Sequence, residues 1–283
     1  GRFRTADYYF LRGTYYEFFK ALVRPGAFSV FYSATSFKQE LPGKDTLPAT
    51  TPLTDQIFDV VLTHESERYR AAFPARNYVL FNKFVCDTYH IRPMERVYDI
   101  CFVATENQAT KNHELFFDLI EYLEQKKRHT KLIYVGNMEQ VIAKYAPNFQ
   151  KDSLTHVELS HRQDLGPDEM SDVYNQSRIN ILFSGRDAFP RVTGESSACG
   201  CYNVALDTLS DGKNFYTEPL GRLIGSPQAV VRRKVGSSLS YVSSPLLWEQ
   251  IETVLNRTFD HGLISSTYLG EHNLSKVIKT LPL

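Results

Sequence analysis

The rhythm of residues 98–206 constrains this chain more than any other feature. Tyr98–Ala104 reads as a strand. Asn112–Lys127 reads as a helix with Leu115, Leu119 and Leu123 on one face, beside Phe116 and Ile120, the i, i+4 spacing of a core stripe. Lys131–Val135 is a second strand ending at Gly136-Asn137, followed by a helix over Met138–Ala146 and a strand over Thr155–Leu159. A helix over Gly166–Gln176 has Pro167 at its first position and Asp168 and Glu169 in its first turn, a sound N-terminal signal. Strand 179–183, a loop, a short helix holding Glu195 and strand Tyr202–Leu206 complete the series. Strands alternating with helices in this way require a parallel sheet covered on both faces. The expected fold class is α/β, with this stretch a Rossmann-like nucleotide-binding half.

The loop of that half concentrates the chemistry. After the apolar run Ile179–Phe183 comes Ser184-Gly185-Arg186-Asp187-Ala188-Phe189-Pro190-Arg191, and then Glu195, with Ala198-Cys199-Gly200 soon after. Asp187 is placed in the loop after a strand and Glu195 in the first turn of the next helix. In an open α/β sheet these positions line the ligand crevice. A carboxylate there accepts hydrogen bonds from a vicinal diol, and a helix N-terminus offers N–H groups to phosphate. Ser196 follows Glu195 inside the helix without a nucleophile-elbow pattern, which argues against a hydrolase. Lys111, between a strand end and a helix start, is the best-placed cation.

This stretch resembles the signature of retaining GT-B glycosyltransferases of family four (glycosyl transferases group 1). Ser184, Asp187, Phe189, Glu195, Ala198, Cys199 and Gly200 occupy matching places. Asp187 stands where the family usually has Glu, and Ala188 and Pro190 stand for its two loop glycines. The resemblance implies a GT-B-like protein of two Rossmann-like domains that moves a hexose from a nucleotide-sugar donor with retention of configuration. It implies that Glu195 holds the ribose hydroxyls. Asp187 would then sit by the donor hexose, with the N–H groups of Ala188 and Phe189 beside it. Lys111 matches the phosphate-binding lysine, and with Asp187 it forms the expected catalytic pair. Glu106 replaces the family's usual arginine, so Arg186 or Arg191 are the substitutes; Ser184 and Pro190 complete the donor-binding set. The implied acceptor is a glycan, a lipid or a small molecule, with peripheral membrane contact a corollary of a lipid-linked one. A degenerate protein that binds a nucleotide sugar or a partner without turnover is the alternative. A nucleotide-sugar epimerase shares the fold but needs converging acid/base groups that the sequence does not offer.

The implied organisation is a partial acceptor-side α/β domain over 1–90, a donor domain over 91–265, and a C-terminal helix over 266–283 crossing back. Strands are expected at Asp7–Leu11, Phe28–Tyr32, Phe58–Thr63 and Tyr78–Phe81, with a helix at Tyr15–Leu22. The family's glycine-rich acceptor loop has no counterpart near the start, so the N-terminal domain is expected to be truncated. His64, at a strand's carboxyl end, is the acceptor-side candidate, against the alternative of a capping or surface histidine.

Composition removes other classes. Lys plus Arg equals Asp plus Glu at 32 each, against a nucleic-acid-coating protein. Four cysteines in 283 residues make no disulfide framework, which points to a reducing, cytoplasmic setting, with the inner face of a membrane open. There is no Asp-x-Asp and no paired-histidine motif, so no metal and no cofactor beyond the nucleotide sugar are expected. The absence of Gly-x-Gly-x-x-Gly after the first strand of the donor half argues against a dinucleotide-dependent dehydrogenase.

Overall fold

The computed structural model of the protein describes residues 6–16, 20–33, 41, 43–44, 46–47, 51–54, 57–63, 66–80, 85–106, 108–185, 187, 190–209, 212–225, 230–235, 238–243 and 245–272. The chain divides into two units, Gly1–Phe84 with Glu271–Leu283, and Val85–Gly270.

The first unit holds a parallel four-stranded sheet in the order β1 (Tyr8–Arg12), β2 (Phe28–Tyr32), β3 (Phe58–Thr63) and β4 (Ala75–Leu80). Its core is aromatic. Phe31 stacks on Phe73 at 4.3 Å between ring centroids, and Tyr16 packs edge-on against Phe31, Phe58 and Phe73. Helix α1 (Ser66–Ala72), which the sequence did not announce, buries Tyr69 and Ala72 on that core. Of the helix expected at Tyr15–Leu22, residues 17–19 lie outside the described residues; Tyr16 is helical, and 3-10 turns lie on either side at Gly13–Tyr15 and Lys20–Leu22.

The second unit is built on a six-stranded parallel sheet: β5 (Tyr98–Val103), β6 (Thr130–Val135), β7 (Val157–Arg162), β8 (Ser177–Leu182), β9 (Tyr202–Leu206) and β10 (Gly221–Ile224), in the spatial order β10-β9-β8-β5-β6-β7. Strand β10 pairs in parallel with β9 and adds a sixth strand to the five expected. Helices α2 (His113–Gln125), α3 (Met138–Tyr145), α4 (Pro167–Asn175) and α5 (Arg191–Ala198) connect the strands. They are followed by an antiparallel ribbon of β11 (Val230–Val235) with β12 (Ser238–Ser243), and by α6 (Pro245–Leu255) and α7 (His261–His272). The stripe on α2 is buried as its spacing dictates: Leu115, Phe116, Leu119, Ile120 and Leu123 all have no exposed surface. The expected helix near the C-terminus falls mostly on residues 273–283, outside the described residues; α7 begins well before it.

Two polar devices lock this unit. The buried Asn203 side chain accepts from Asn180 Nδ2 and Ser196 Oγ, each at 2.7 Å, and donates to Ser197 Oγ at 2.8 Å. Strands β8 and β9 are thereby bolted to α5. Ser196, considered above as a nucleophile, is spent in this network. Where the strands begin, the Arg96 guanidinium donates to the carbonyls of Tyr174 (2.8 Å), Ser177 (2.5 Å) and Cys199 (2.6 Å). Cys101, Cys199 and Cys201 are buried thiols, and burial pushes Cys199 up to about 12.

Candidate functional site

The strand order changes direction between β5 and β8. The chain runs outward from β5 through β6 to β7, then returns to the other side of β5 and proceeds through β8, β9 and β10. Such a switch point leaves a crevice at the carboxyl ends of the two central strands, because the connections on either side of it lead away in opposite directions. The residues following β5 and β8 therefore face this crevice.

These residues meet. Lys111 closes a 3-10 turn, Ala109–Lys111, after β5, and Asp187 lies in the loop after β8. Their side chains form an ion pair with Nζ 2.6 Å from Oδ2, at 15% and 19% exposure. The backbone around them is cross-tied. Asn112 takes the left-handed conformation (φ 50°) and donates through Nδ2 to the Phe183 carbonyl at 2.6 Å, while the Gly185 N–H donates to the Thr110 carbonyl at 3.1 Å. Asn tolerates this region better than most residues because its short amide can bond locally. Next along, His113 is fully buried, stacked on Tyr145 at 4.9 Å, with Nε2 3.1 Å from the Thr105 carbonyl. Burial lowers its pKa, and the nearby Lys144 and Lys111 charges act in the same direction. Sequence reasoning passed over His113 because nothing in its spacing separates it from the helix start.

Ser184, two residues past the end of β8, has no exposed surface, and its Oγ lacks a hydrogen-bond partner. Pro190 is buried and caps α5, and Arg191 is exposed at the helix's first position. Because α5 begins at Arg191, Glu195 sits in its second turn, and the first turn carries no acid. The helix starts earlier than the acid suggested, since Pro190 with its fixed φ of −66° already leads into the turn. Glu195 is 9% exposed. The Tyr174 hydroxyl is 3.5 Å from its Oε2, and its charge, after burial, raises the pKa of Tyr89, Tyr174 and Tyr268. Glu195 is thus set among three phenols, whereas Asp187 is engaged with Lys111. The hydroxyl of Tyr268, on α7, fills the space beside Gly194 that a side chain would need. Of the other expected site residues, Arg186, Ala188, Phe189 and His64 lie outside the described residues. Among the described residues, no cluster of His, Cys, Asp and Glu could hold a metal ion, and no helix is long and apolar enough to cross a membrane.

Comparison with known proteins agrees with this architecture. No curated protein matches the chain in sequence. Among solved structures, it is similar to the pneumococcal O-GlcNAc transferase GtfA in complex with UDP and GlcNAc. The two are 13% identical with a TM-score of 0.54, over 90% of this chain and 52% of that one. Similarity to OtsA in its apo state has a TM-score of 0.60 at 12% identity, over 98% and 74% of the respective chains. An Escherichia coli structure described as trehalose-6-phosphate bound with UDP-2-fluoro glucose gives 0.57 at 12% identity, over 97% and 72%. The chain spans about half the length of GtfA. Residues 98–230, which include the Lys111–Asp187 pair, match the family model of glycosyl transferases group 1, on a chain whose fold is that of the GT-B glycosyltransferases.

Proposed function

We propose that the protein is a retaining glycosyltransferase that moves a hexose from a nucleotide-sugar donor to a carbohydrate or lipid-linked acceptor, without a metal or further cofactor. The observation that carries this reading is the Lys111–Asp187 pair at the switch point, inside the stretch matching the group 1 family model. Lys111 meets the diphosphate, and Asp187 both holds the ammonium in position before the donor arrives and sits where the transferred sugar lies. Glu195 accepts hydrogen bonds from the ribose diol. Negative charge builds on the departing diphosphate as the glycosidic bond breaks, and Lys111 with the N-terminal end of α5 stabilises it.

GtfA is solved with UDP, and the Escherichia coli structure with a UDP-sugar analogue, so UDP-sugars head the panel, followed by GDP-, ADP- and dTDP-sugars. A ligand that binds only the native state raises thermal stability by mass action, and the best ligand then enters a turnover assay. A donor that binds and is transferred supports an enzyme; binding without transfer to any acceptor points to the degenerate reading. Transfer is expected to persist in EDTA. Its loss on chelation, with recovery on adding Mg²⁺ or Mn²⁺, overturns the metal-independent part.

Glu195→Ala is expected to weaken binding of the best nucleotide while leaving the fold intact. Each charge-assisted hydrogen bond lost costs roughly 1.5–3 kcal/mol before water replaces part of it. Calorimetric titration of the variant reads this directly, and unchanged affinity removes Glu195 from the site.

A further inference from the structure

The end of β9 carries a second lysine–aspartate pair, this one within a single loop and more exposed, at 43% and 42%. Past the last residue of β9, Asp207 accepts from Lys213 Nζ, which lies 2.9 Å from Oδ1 and also donates to the Asp207 carbonyl. Lys213 opens a 3-10 turn, Lys213–Phe215, behind Gly212, whose φ of 71° lets the loop reverse. The described residues of this loop are held on the sheet. Leu209, Phe215 and Tyr216 pack with Leu182 and Ala205, and the Tyr216 hydroxyl is 2.7 Å from that of Thr193 on α5. Asp187 is close enough for its charge to raise the Tyr216 pKa, behind burial as the main cause. Tyr216 thus sits within electrostatic reach of Asp187 and in the same loop as Lys213.

Strand β8 lies between β5 and β9. Adjacent strands are about 4.8 Å apart, so the Lys213–Asp207 pair follows the strand next to β8, while the Lys111–Asp187 pair joins the ends of β8 and β5. Two hydroxyls stand beside them without hydrogen-bond partners: Ser184 Oγ at the end of β8 and Thr208 Oγ1 next to Asp207, both buried atoms. A buried hydroxyl left unpaired is costly, and groups of this kind are satisfied when a ligand brings oxygen atoms to them.

We propose that Lys213 is a second cation of the donor site, binding the nucleotide's diphosphate from the β9 side while Lys111 binds it from the β5 side, with Ser184 and Thr208 donating to its oxygens. Each lysine exchanges its aspartate for a phosphate oxygen, so the site is charge-balanced when empty and its cations are released together when the anion enters. Asp207 is the competitor at the second position. This inference rests on the nucleotide-sugar reading above.

The test is titration of the full chain with UDP, GDP, ADP and dTDP, and then with the matching nucleoside and monophosphate of whichever binds. Lys213→Ala is expected to weaken the diphosphate about tenfold or more, as loss of one charge-assisted contact does. The nucleoside should lose nothing, Lys213→Arg should restore most of the affinity, and Asp207→Asn should not weaken the diphosphate. Equal losses for nucleoside and diphosphate mean that Lys213 only supports the loop, and overturn the inference. So does an unchanged diphosphate affinity in Lys213→Ala while the wild type binds, which leaves the nucleotide-sugar reading intact. Failure of the wild type to bind any of the four diphosphates removes both.

Discussion

Lys111→Ala is expected to lower kcat by about 10²–10³-fold, the usual cost of removing one preorganised electrostatic partner of a transition state, with a smaller rise in KM. The asymmetry follows from the chemistry. The diphosphate gains charge as the sugar leaves, so a cation beside it interacts more strongly with the transition state than with the bound donor. Glu106 stands where the resemblance leads one to look for an arginine, which concentrates the task on Lys111. The variant also takes the Lys111 ammonium from Asp187, whose side chain is 19% exposed. A carboxylate that has lost this ammonium is expected to repel the diphosphate of the proposed donor and add to the loss. Measuring kcat and KM for Lys111→Ala and for the double variant Lys111→Ala/Asp187→Asn separates these effects. A raised KM at constant kcat assigns Lys111 to binding alone, and no change in either removes it from the site.

The second large effect is on stability. Asn203→Ala is expected to lower the unfolding free energy by about 3 kcal/mol or more. Asn180, Ser196 and Ser197 each lose a short hydrogen bond in a site without solvent, and each buried group left unsatisfied costs about 1–3 kcal/mol. Denaturant unfolding of the variant checks this. The coupling should appear in a cycle: Asn180→Ala added to Asn203→Ala costs less than it does alone, because the partners already share the damage. A loss below about 0.5 kcal/mol, the range of ordinary surface changes, contradicts the picture of β8, β9 and α5 as one bolted assembly.

How much of this was legible in the sequence depended on whether a residue's role is set by its neighbours along the chain. Strands Phe28–Tyr32, Phe58–Thr63 and Tyr202–Leu206 have the bounds that their sequence predicts, because largely apolar runs in a parallel sheet leave little choice of end. Helix α2 announced itself by its leucine stripe. Helix α1 did not: seven residues with Glu67, Arg68 and Arg70 among them hide the burial of Tyr69 and Ala72. Strand β10 is four residues long and contains Arg222. Strand β11 carries Arg232-Arg233-Lys234, a run that reads as a solvated patch, while its pairing with β12 is made by backbone groups that sequence does not display. At the site, motif spacing located Lys111 and Asp187 separately, but nothing along the chain says that residues 76 positions apart form an ion pair. The same limit hid Asn203 and Arg96, whose partners converge only once the sheet exists.

Arg96 has a consequence beyond holding strands together. The carbonyls it gathers include those at the C-terminal ends of α4 and α5. These two helices run antiparallel to the strands, so their N-terminal ends lie toward the crevice. Aligned peptide dipoles give each helix about half a positive charge at its N-terminus and half a negative charge at its C-terminus. The guanidinium meets the negative pair at one end of the strands; at the other end α4 meets its own Asp168 and Glu169, while the first turn of α5 carries no acid. Arg96 is in that sense the permanent counter-ion of a polarised slab: it neutralises the far pole, and the proposed diphosphate would meet the near one.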